Sequence, residues 1–352
     1  MQTLRKLRIE GFKSIRTAEL EFGDLNVVIG ANGSGKSNLI SAFRLLDRVL
    51  AQNLQLFVAG DPDRFLFHGR KLTPGMSMEF VFGRYAYGFT LQAAADTLVF
   101  EAENVTHNGT RREVDAFANG HTESRVAVDV PSGQNGIPLD ARTLAVYHFE
   151  DTSETSPARQ TANIDDNRFL RPDAANLPAY LYWLKEKHPV QFRHIEEHVR
   201  LVAPFFGKFA LAPSRLNENR IKLEWKQKGS DAYFDAYALS DGTLRFIALA
   251  VLLLQPEPPQ LILLDEPELG LHPFALRILA EMLEAAATRA QVLLATQSVT
   301  LLNNFAPEDV IVAENVDGET RFDRLNRENL KTWLDDFSLG ELWEKNVLGG
   351  RP

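Results

Sequence analysis

The chain has 352 residues, of which 45% are hydrophobic and 24% charged, so it can bury a sizeable core and is not a disordered segment. It contains no cysteine, which excludes a disulfide scaffold, a thiol nucleophile and Cys-ligated zinc. Lys and Arg number 38 against 47 Asp and Glu, a net charge of -9, which argues against a surface that coats nucleic acid passively.

The opening MQTLRKLRIEGFKSIR has no continuous apolar h-region, and the longest apolar run, LRFIALAVLLLQ at 244–255, is too short to span a bilayer. The expected location is therefore the cytoplasm, with no membrane partner. Arg5, Lys6, Arg8, Lys13 and Arg16 form a local basic cluster in this opening.

LNVVIG at 25–30 is an apolar, β-branched run ending in glycine, as a buried strand should. GANGSGKS at 30–37 follows and satisfies G-x-x-x-x-G-K-[ST]. From Asn38 to Gln52, Leu39, Ile40, Phe43, Leu46, Val49 and Leu50 recur at three- and four-residue steps, one face of a helix. Strand, glycine-rich turn and helix thus stand in the order a phosphate-binding loop requires. Gly30, Gly33 and Gly35 permit backbone conformations that a Cβ forbids, and the freed N–H groups at the helix start favour an anion. Lys36 would reach the β- and γ-phosphates and the Ser37 hydroxyl would ligate Mg²⁺. Asn32, Ser34 and Asn38 complete the candidate nucleotide contacts.

The stretch between Lys36 and Ser240 carries no heptad repeat, and Pro and Gly interrupt it, so no coiled-coil arm is expected. Residues 76–109 alternate apolar and polar with turn signals and predict antiparallel strands, continued over 110–140 by VAVDV and SGQNGIP. The polar, Pro-punctuated segment 151–175 reads as a linker or mobile loop, and 176–206 as helical, with Leu181, Leu184, Ile195, Val199 and Leu201 in its core. His148, Glu150, Asp151, Arg168 and Arg171 are the polar residues of interest here. His148 and Asp151 follow the apolar LAVY, so they either end a strand near the γ-phosphate or are a satisfied core histidine and a loop acid. The pair Asp165–Asp166 reads as solvated rather than metal-binding, since no further ligand is spaced to join it.

Residues 239–246, LSDGTLRF, precede the apolar helix Ile247–Leu254, with Ser240 as N-cap and Gly242 open to a ligand. LILLDEPE at 261–268 is a buried strand that ends at Asp265 and delivers its carboxylate to a phosphate-bound Mg²⁺. Glu266 follows directly, as general base or as the group that orients the attacking water. An amphipathic helix (Phe274, Ile278, Leu279, Met282, Leu283) leads to the short strand VLLATQS, ending in Gln297 and Ser298.

The order phosphate loop, LSDGT, LILLDEPELGLHP and ATQS resembles the ABC-class ATPases, and within them the prokaryotic AAA-family ATPases of the RecF/SMC/OLD-like branch. The opening LRIEGFKSIRTAELEFGDLNVVIGANGSGKSNL and the segments YHFEDTS and LGELWEKNVLGGRP extend the likeness along the chain. The resemblance implies an α/β fold of P-loop NTPase type, with a mixed central sheet, an antiparallel β-rich subdomain and a helical signature lobe. Residues 1–60 and 235–352 would form a discontinuous ATPase lobe, and 61–234 an inserted β-rich and helical subdomain.

It further implies ATP and Mg²⁺ as cofactors, hydrolysis of ATP, and a homodimer closed around two ATPs. In that dimer Ser240 and Gly242 of one copy would cover the γ-phosphate held by the other. Glu268–His272 resembles the loop that links the two sites, and Lys13 and Ser14 stand where the branch has a basic-Ser pair near the nucleotide. Asp241 replaces the glycine of transporter signatures, which argues against a transporter subunit. Gln297 stands where many relatives have a switch histidine; Gln hydrogen-bonds but carries no proton charge, so turnover is expected to be slow or partner-dependent. By analogy with the branch, the dimer would switch a separate effector, such as a nuclease, in DNA transactions or anti-phage defence. The stretch after Ser298 is short for a fused Toprim nuclease, hence a separate polypeptide. The alternative is a RecF-like repair ATPase that binds DNA through the basic N-terminal cluster.

Overall fold

The computed structural model describes residues 3–114, 120–126, 146–149 and 151–351. The chain opens with the antiparallel pair β1 (Leu4–Phe12) and β2 (Ile15–Glu21), then β3 (Leu25–Ile29), α1 (Lys36–Leu50) and the short α2 (Leu54–Val58). β4 (Gly75–Phe82), β5 (Tyr85–Ala94), β6 (Thr97–His107) and β7 (Thr110–Glu113) form an antiparallel meander. β4 pairs with β1, giving one six-stranded sheet of order β2-β1-β4-β5-β6-β7, so strands from both sides of residue 60 share a ladder. The strands expected further on, around VAVDV and SGQNGIP, fall largely outside the described residues.

Next come β8 (Val146–Tyr147), β9 (Ala162–Asn163), α3 (Leu177–Lys187) and α4 (Pro189–Val202). Five short strands follow: β10 (Phe206–Phe209), β11 (Pro213–Ser214), β12 (Asn217–Ile221), β13 (Glu224–Gln227) and β14 (Tyr233–Asp235). The chain then alternates α5 (Asp241–Leu254), β15 (Leu261–Asp265), α6 (Pro273–Ala287), β16 (Gln291–Thr296) and α7 (Val299–Leu302). β17 (Val310–Val316) and β18 (Glu319–Arg324) make a hairpin, and α8 (Arg327–Leu334) and α9 (Leu339–Glu344) close the chain.

The central sheet has the order β18-β17-β3-β16-β15-β8, parallel except for β18. Its inner strands β3, β16 and β15 are covered on both faces, which is why they read as unbroken apolar runs rather than alternations. β3 shows the division of labour: Val28 joins one apolar layer, while Val27 and Ile29 join the other. The first layer packs α1 and the antiparallel sheet against the central sheet, with Phe43 edge-on to both Phe22 and Phe80. The second layer packs α3 to α6 on the opposite face.

The segment 151–175 is not a linker. Ala158, Arg159, Ala162, Leu170 and Ala174 are buried, and β9 pairs with β12. Its polar, Pro-punctuated composition serves tight turns such as the Ser156-capped turn at 157–159, which dock on the core instead of spanning solvent.

Candidate functional site

Register sets the site. Asp265 pairs with Ala295 on β16, and Thr296 pairs with Ile29 on β3, so β15, β16 and β3 end on one line. The residues just past those ends are therefore neighbours: Glu266, Gln297 and Gly30. On the outer side Leu264 pairs with Tyr147, which puts His148 level with Asp265, and on the other Val312 pairs with Ile29, which puts Ala313 beside Gly30. This is the carboxyl edge of an open parallel sheet, where such folds hold ligands.

The loop between β3 and α1 needs its glycines. Gly30 has φ +155, and a Cβ there would collide with the Ala313 carbonyl; Gly35 has φ +103, and a Cβ there would collide with the Thr320 side chain. Thr320 also accounts for the loop's shape from below. Its hydroxyl donates to the Ser34 carbonyl at 3.0 Å and lies 2.7 Å from the Ser14 hydroxyl, which in turn accepts from the Asn38 amide at 2.6 Å. α1 starts at Lys36 with no side-chain cap and no acid in its first turn, so its first N–H groups and the helix dipole favour an anion. Asn32, Gly33 and Ser37 are exposed, and the buried Ser34 hydroxyl has no hydrogen-bond partner among the described residues. Lys36 is buried and folds back to donate to the carbonyls of Gly30 (2.7 Å) and Ala31 (3.0 Å). Burial lowers its pKa, an effect partly offset by Glu266, Asp265 and Glu268.

An uncapped helix start, an unsatisfied hydroxyl and an ammonium on backbone carbonyls fit a polyphosphate. The hard oxygen donors Ser37 and Asp265 fit Mg²⁺ completed by phosphate and water.

Glu266 takes the left-handed conformation at φ +44, a strain of about 1–3 kcal/mol for a residue with a Cβ. Its N–H is held by the Ala295 carbonyl at 2.9 Å, and its carboxylate accepts from the Gln297 side-chain amide. Beneath this pair lies Glu268, whose Oε1 accepts from the Thr296 hydroxyl at 2.6 Å and the Gln297 N–H at 2.8 Å. Burial raises the Glu268 pKa, against the lowering effect of those two hydrogen bonds. Arg44 on α1 stands 3.9 Å from Asp265 Oδ2 and donates to His148 Nδ1 at 3.2 Å. An arginine only donates, so Nδ1 is the unprotonated nitrogen; burial first, and Arg44 second, push the His148 pKa down to about 4.

Ser240 caps α5, accepting from the Thr243 N–H at 3.3 Å, and is exposed. Gly242 abuts the turn that follows Glu268, since a Cβ on it would strike the Gly270 carbonyl. Arg245, one turn on, is 8% exposed and bridges that turn to the end of β8, donating to the carbonyls of Leu269 and, at 2.8 Å, Phe149.

The strand ends thus bring together residues 30–38, Asp265, Glu266 and Gln297, with His148 at the margin. Among the described residues no hydrogen bond or ion pair joins Lys13, Ser240 or Gly242 to residues 30–37. Lys13, at φ +50, donates to Ser41 at 2.6 Å, one turn along α1, and burial lowers its pKa. Asp151 accepts from Ser153 at an exposed turn, and Asp166 pairs with Arg171 at 2.7 Å; Arg168 is exposed and Glu150 lies outside the described residues. Sequence reading missed Thr320, Glu268 as a support for Gln297, Arg44 and Arg245. Only Glu268, a second acid close behind DE, left a signal that could have been followed.

A family model described as "AAA domain, putative AbiEii toxin, Type IV TA system" matches residues 25–303. No curated protein matches the chain. Among solved structures, an SmcHead bound to the C-winged helix domain of ScpA is 18% identical, with a TM-score of 0.59 over 94% of this chain and 99% of that one. An Smc head domain with an extended coiled coil, bound to the C-terminal domain of ScpA derived from Pyrococcus furiosus, is 17% identical, with a TM-score of 0.55 over 96% and 99%. At this identity the likeness establishes the fold, an α/β P-loop NTPase of the ABC-ATPase head type.

Proposed function

This chain belongs to that AAA-domain family, within the ABC-type ATPases of the SMC/RecF-like branch, and from that premise we propose that it hydrolyses ATP in a site completed by a second copy of itself. One observation carries the proposal. The phosphate loop, Asp265–Glu266 and Gln297 converge at three adjacent strand ends, whereas the capping serine Ser240 is exposed and, among the described residues, makes no hydrogen bond to its own phosphate loop.

When bound, Mg²⁺ would withdraw charge from the phosphates. Lys36 would leave its carbonyls to bind the β- and γ-phosphates, and Ser37 and Asp265 would hold the metal. Glu266 accepts a proton from water or orients it, and Gln297 fixes the carboxylate rotamer. Ser240 and Gly242, from the second copy, cover the γ-phosphate. Hydrolysis would reopen the pair, a shift between two populations that a separate effector can sense. The family description points to toxin–antitoxin biology, consistent with an effector in anti-phage defence.

The RecF-like alternative draws less support from its basic cluster. Lys6 pairs with Glu19, Arg8 pairs with Glu19 and Glu79 at 2.7 Å each, and Lys13 turns inward to Ser41. DNA-stimulated hydrolysis that falls with salt would restore that alternative.

The direct test is phosphate release with and without Mg²⁺. Wild type should turn over, and Lys36→Ala and Glu266→Gln should each lose roughly 10²-fold or more in kcat. Undiminished turnover by Glu266→Gln would overturn the assignment.

A further inference from the structure

Arg159 is 7% exposed, yet it lies in a segment that no nucleotide-site residue occupies. A guanidinium keeps its charge when buried, so it needs acceptors and a counter-charge. Its Nε donates to the Thr152 carbonyl at 2.9 Å, within its own segment. Its remaining donors all go to the chain that enters α5. Nη1 donates to the carbonyls of Ala236 and Leu239, and Nη2 to Leu239 and, at 2.7 Å, to Asp241 Oδ1. Asp241, whose side chain is 67% exposed, stands between Ser240 and Gly242.

Two consequences follow from this geometry. An exposed carboxylate next to Ser240 would repel a triphosphate that the serine has to meet, and the guanidinium at 2.7 Å neutralises it. The same guanidinium also fastens residues 152–159 to the Ser240 loop. That segment starts just past His148, which is level with Asp265 and bonded to Arg44. Phe149, next to His148, is fastened to α5 as well, its carbonyl accepting from Arg245, and Gln160 reaches the Tyr237 hydroxyl at 3.2 Å. The margin of each nucleotide pocket and the capping loop of the same chain are therefore one hydrogen-bonded body.

We propose that Arg159 is a positioning residue of the two-copy site: through Asp241 it holds the Ser240 loop in the form a second copy's nucleotide meets, and through Thr152 it ties that loop to the segment that follows His148. The proposal rests on the two-copy reading above. Asp241 is then a partner for Arg159, not a nucleotide contact.

Sedimentation velocity with Mg·ATP in the Glu266→Gln background separates the two readings. If Glu266→Gln never dimerises with ATP, the two-copy reading falls and takes the role of Arg159 with it. If it does, adding Asp241→Ala or Arg159→Lys should weaken the dimer about tenfold, the usual effect of losing a charge-assisted hydrogen bond. Fluorescent ATP should bind each monomer as before. Combining both changes should weaken the dimer by less than the sum of the two separate losses, because both remove the Arg159–Asp241 pair. In the wild-type background, specific ATPase activity of either variant should recover as protein concentration rises, which a damaged pocket would not allow. Asp241 is exposed, so Asp241→Ala carries the test even if Arg159→Lys does not fold. Unchanged dimerisation by Asp241→Ala, or fully additive losses, would overturn the proposal.

Discussion

His148 illustrates how a residue outside the phosphate loop and the Asp265–Glu266 pair is bound to the site by electrostatics. Its neutral imidazole accepts from Arg44, which also faces Asp265, so protonation would set two cations side by side. The ordinary histidine pKa of about 6.5 applies to the unfolded chain, while the folded value is about 4. Between those values the unfolded state binds more protons. The contribution of His148 to stability is thus complete above pH 6.5 and is lost as pH falls towards 4. His148→Gln should flatten that part of the melting-temperature profile relative to wild type. Equal losses in both proteins between pH 7 and 5 would contradict the assignment. Glu266 and Gln297 are joined more simply: the Gln297 side-chain amide donates to the carboxylate and fixes its orientation.

The element that most shapes the phosphate loop is the β17–β18 hairpin, far away in sequence. Thr320 on β18 supports Ser34 and Ser14 and fills the space that a Gly35 side chain would need. Thr320→Ala should cost about 1–2 kcal/mol of stability through two lost hydrogen bonds and raise the KM for ATP several-fold. Thr320→Ser should restore both, and an unchanged KM in Thr320→Ala would rule out this support. Thr320 also shows where sequence reading ends. LNVVI, LILLD and QVLLAT announce themselves because a strand buried on both faces must be apolar throughout, and α1 and α6 do so through their three- and four-residue steps. The supports under the loop, and the docking of 151–175 by the buried Arg159, depend on partners distant in the chain. No local period encodes such a pairing. Polar turns that pack on a core have the same composition as a linker, so composition alone does not tell the two apart in that segment.

At the scale of the whole molecule, the fold divides labour between two faces of one sheet. One apolar layer fixes α1 and its loop against the antiparallel sheet, and the other fixes α5 with Ser240 at its exposed start. Tyr237, Leu269 and Phe274, which flank Ser240, the 268–272 turn and the start of α6, are 51%, 41% and 42% exposed. Apolar side chains around a capping serine suit contact with another copy better than contact with water. The most direct measurement is the sedimentation of Glu266→Gln with and without Mg·ATP, alone and combined with Ser240→Arg. The account predicts that ATP doubles the mass of Glu266→Gln and leaves the Ser240→Arg combination monomeric, although both bind ATP. A mass that ignores ATP while Lys36 still binds it, or a dimer indifferent to Ser240, would contradict the two-copy site.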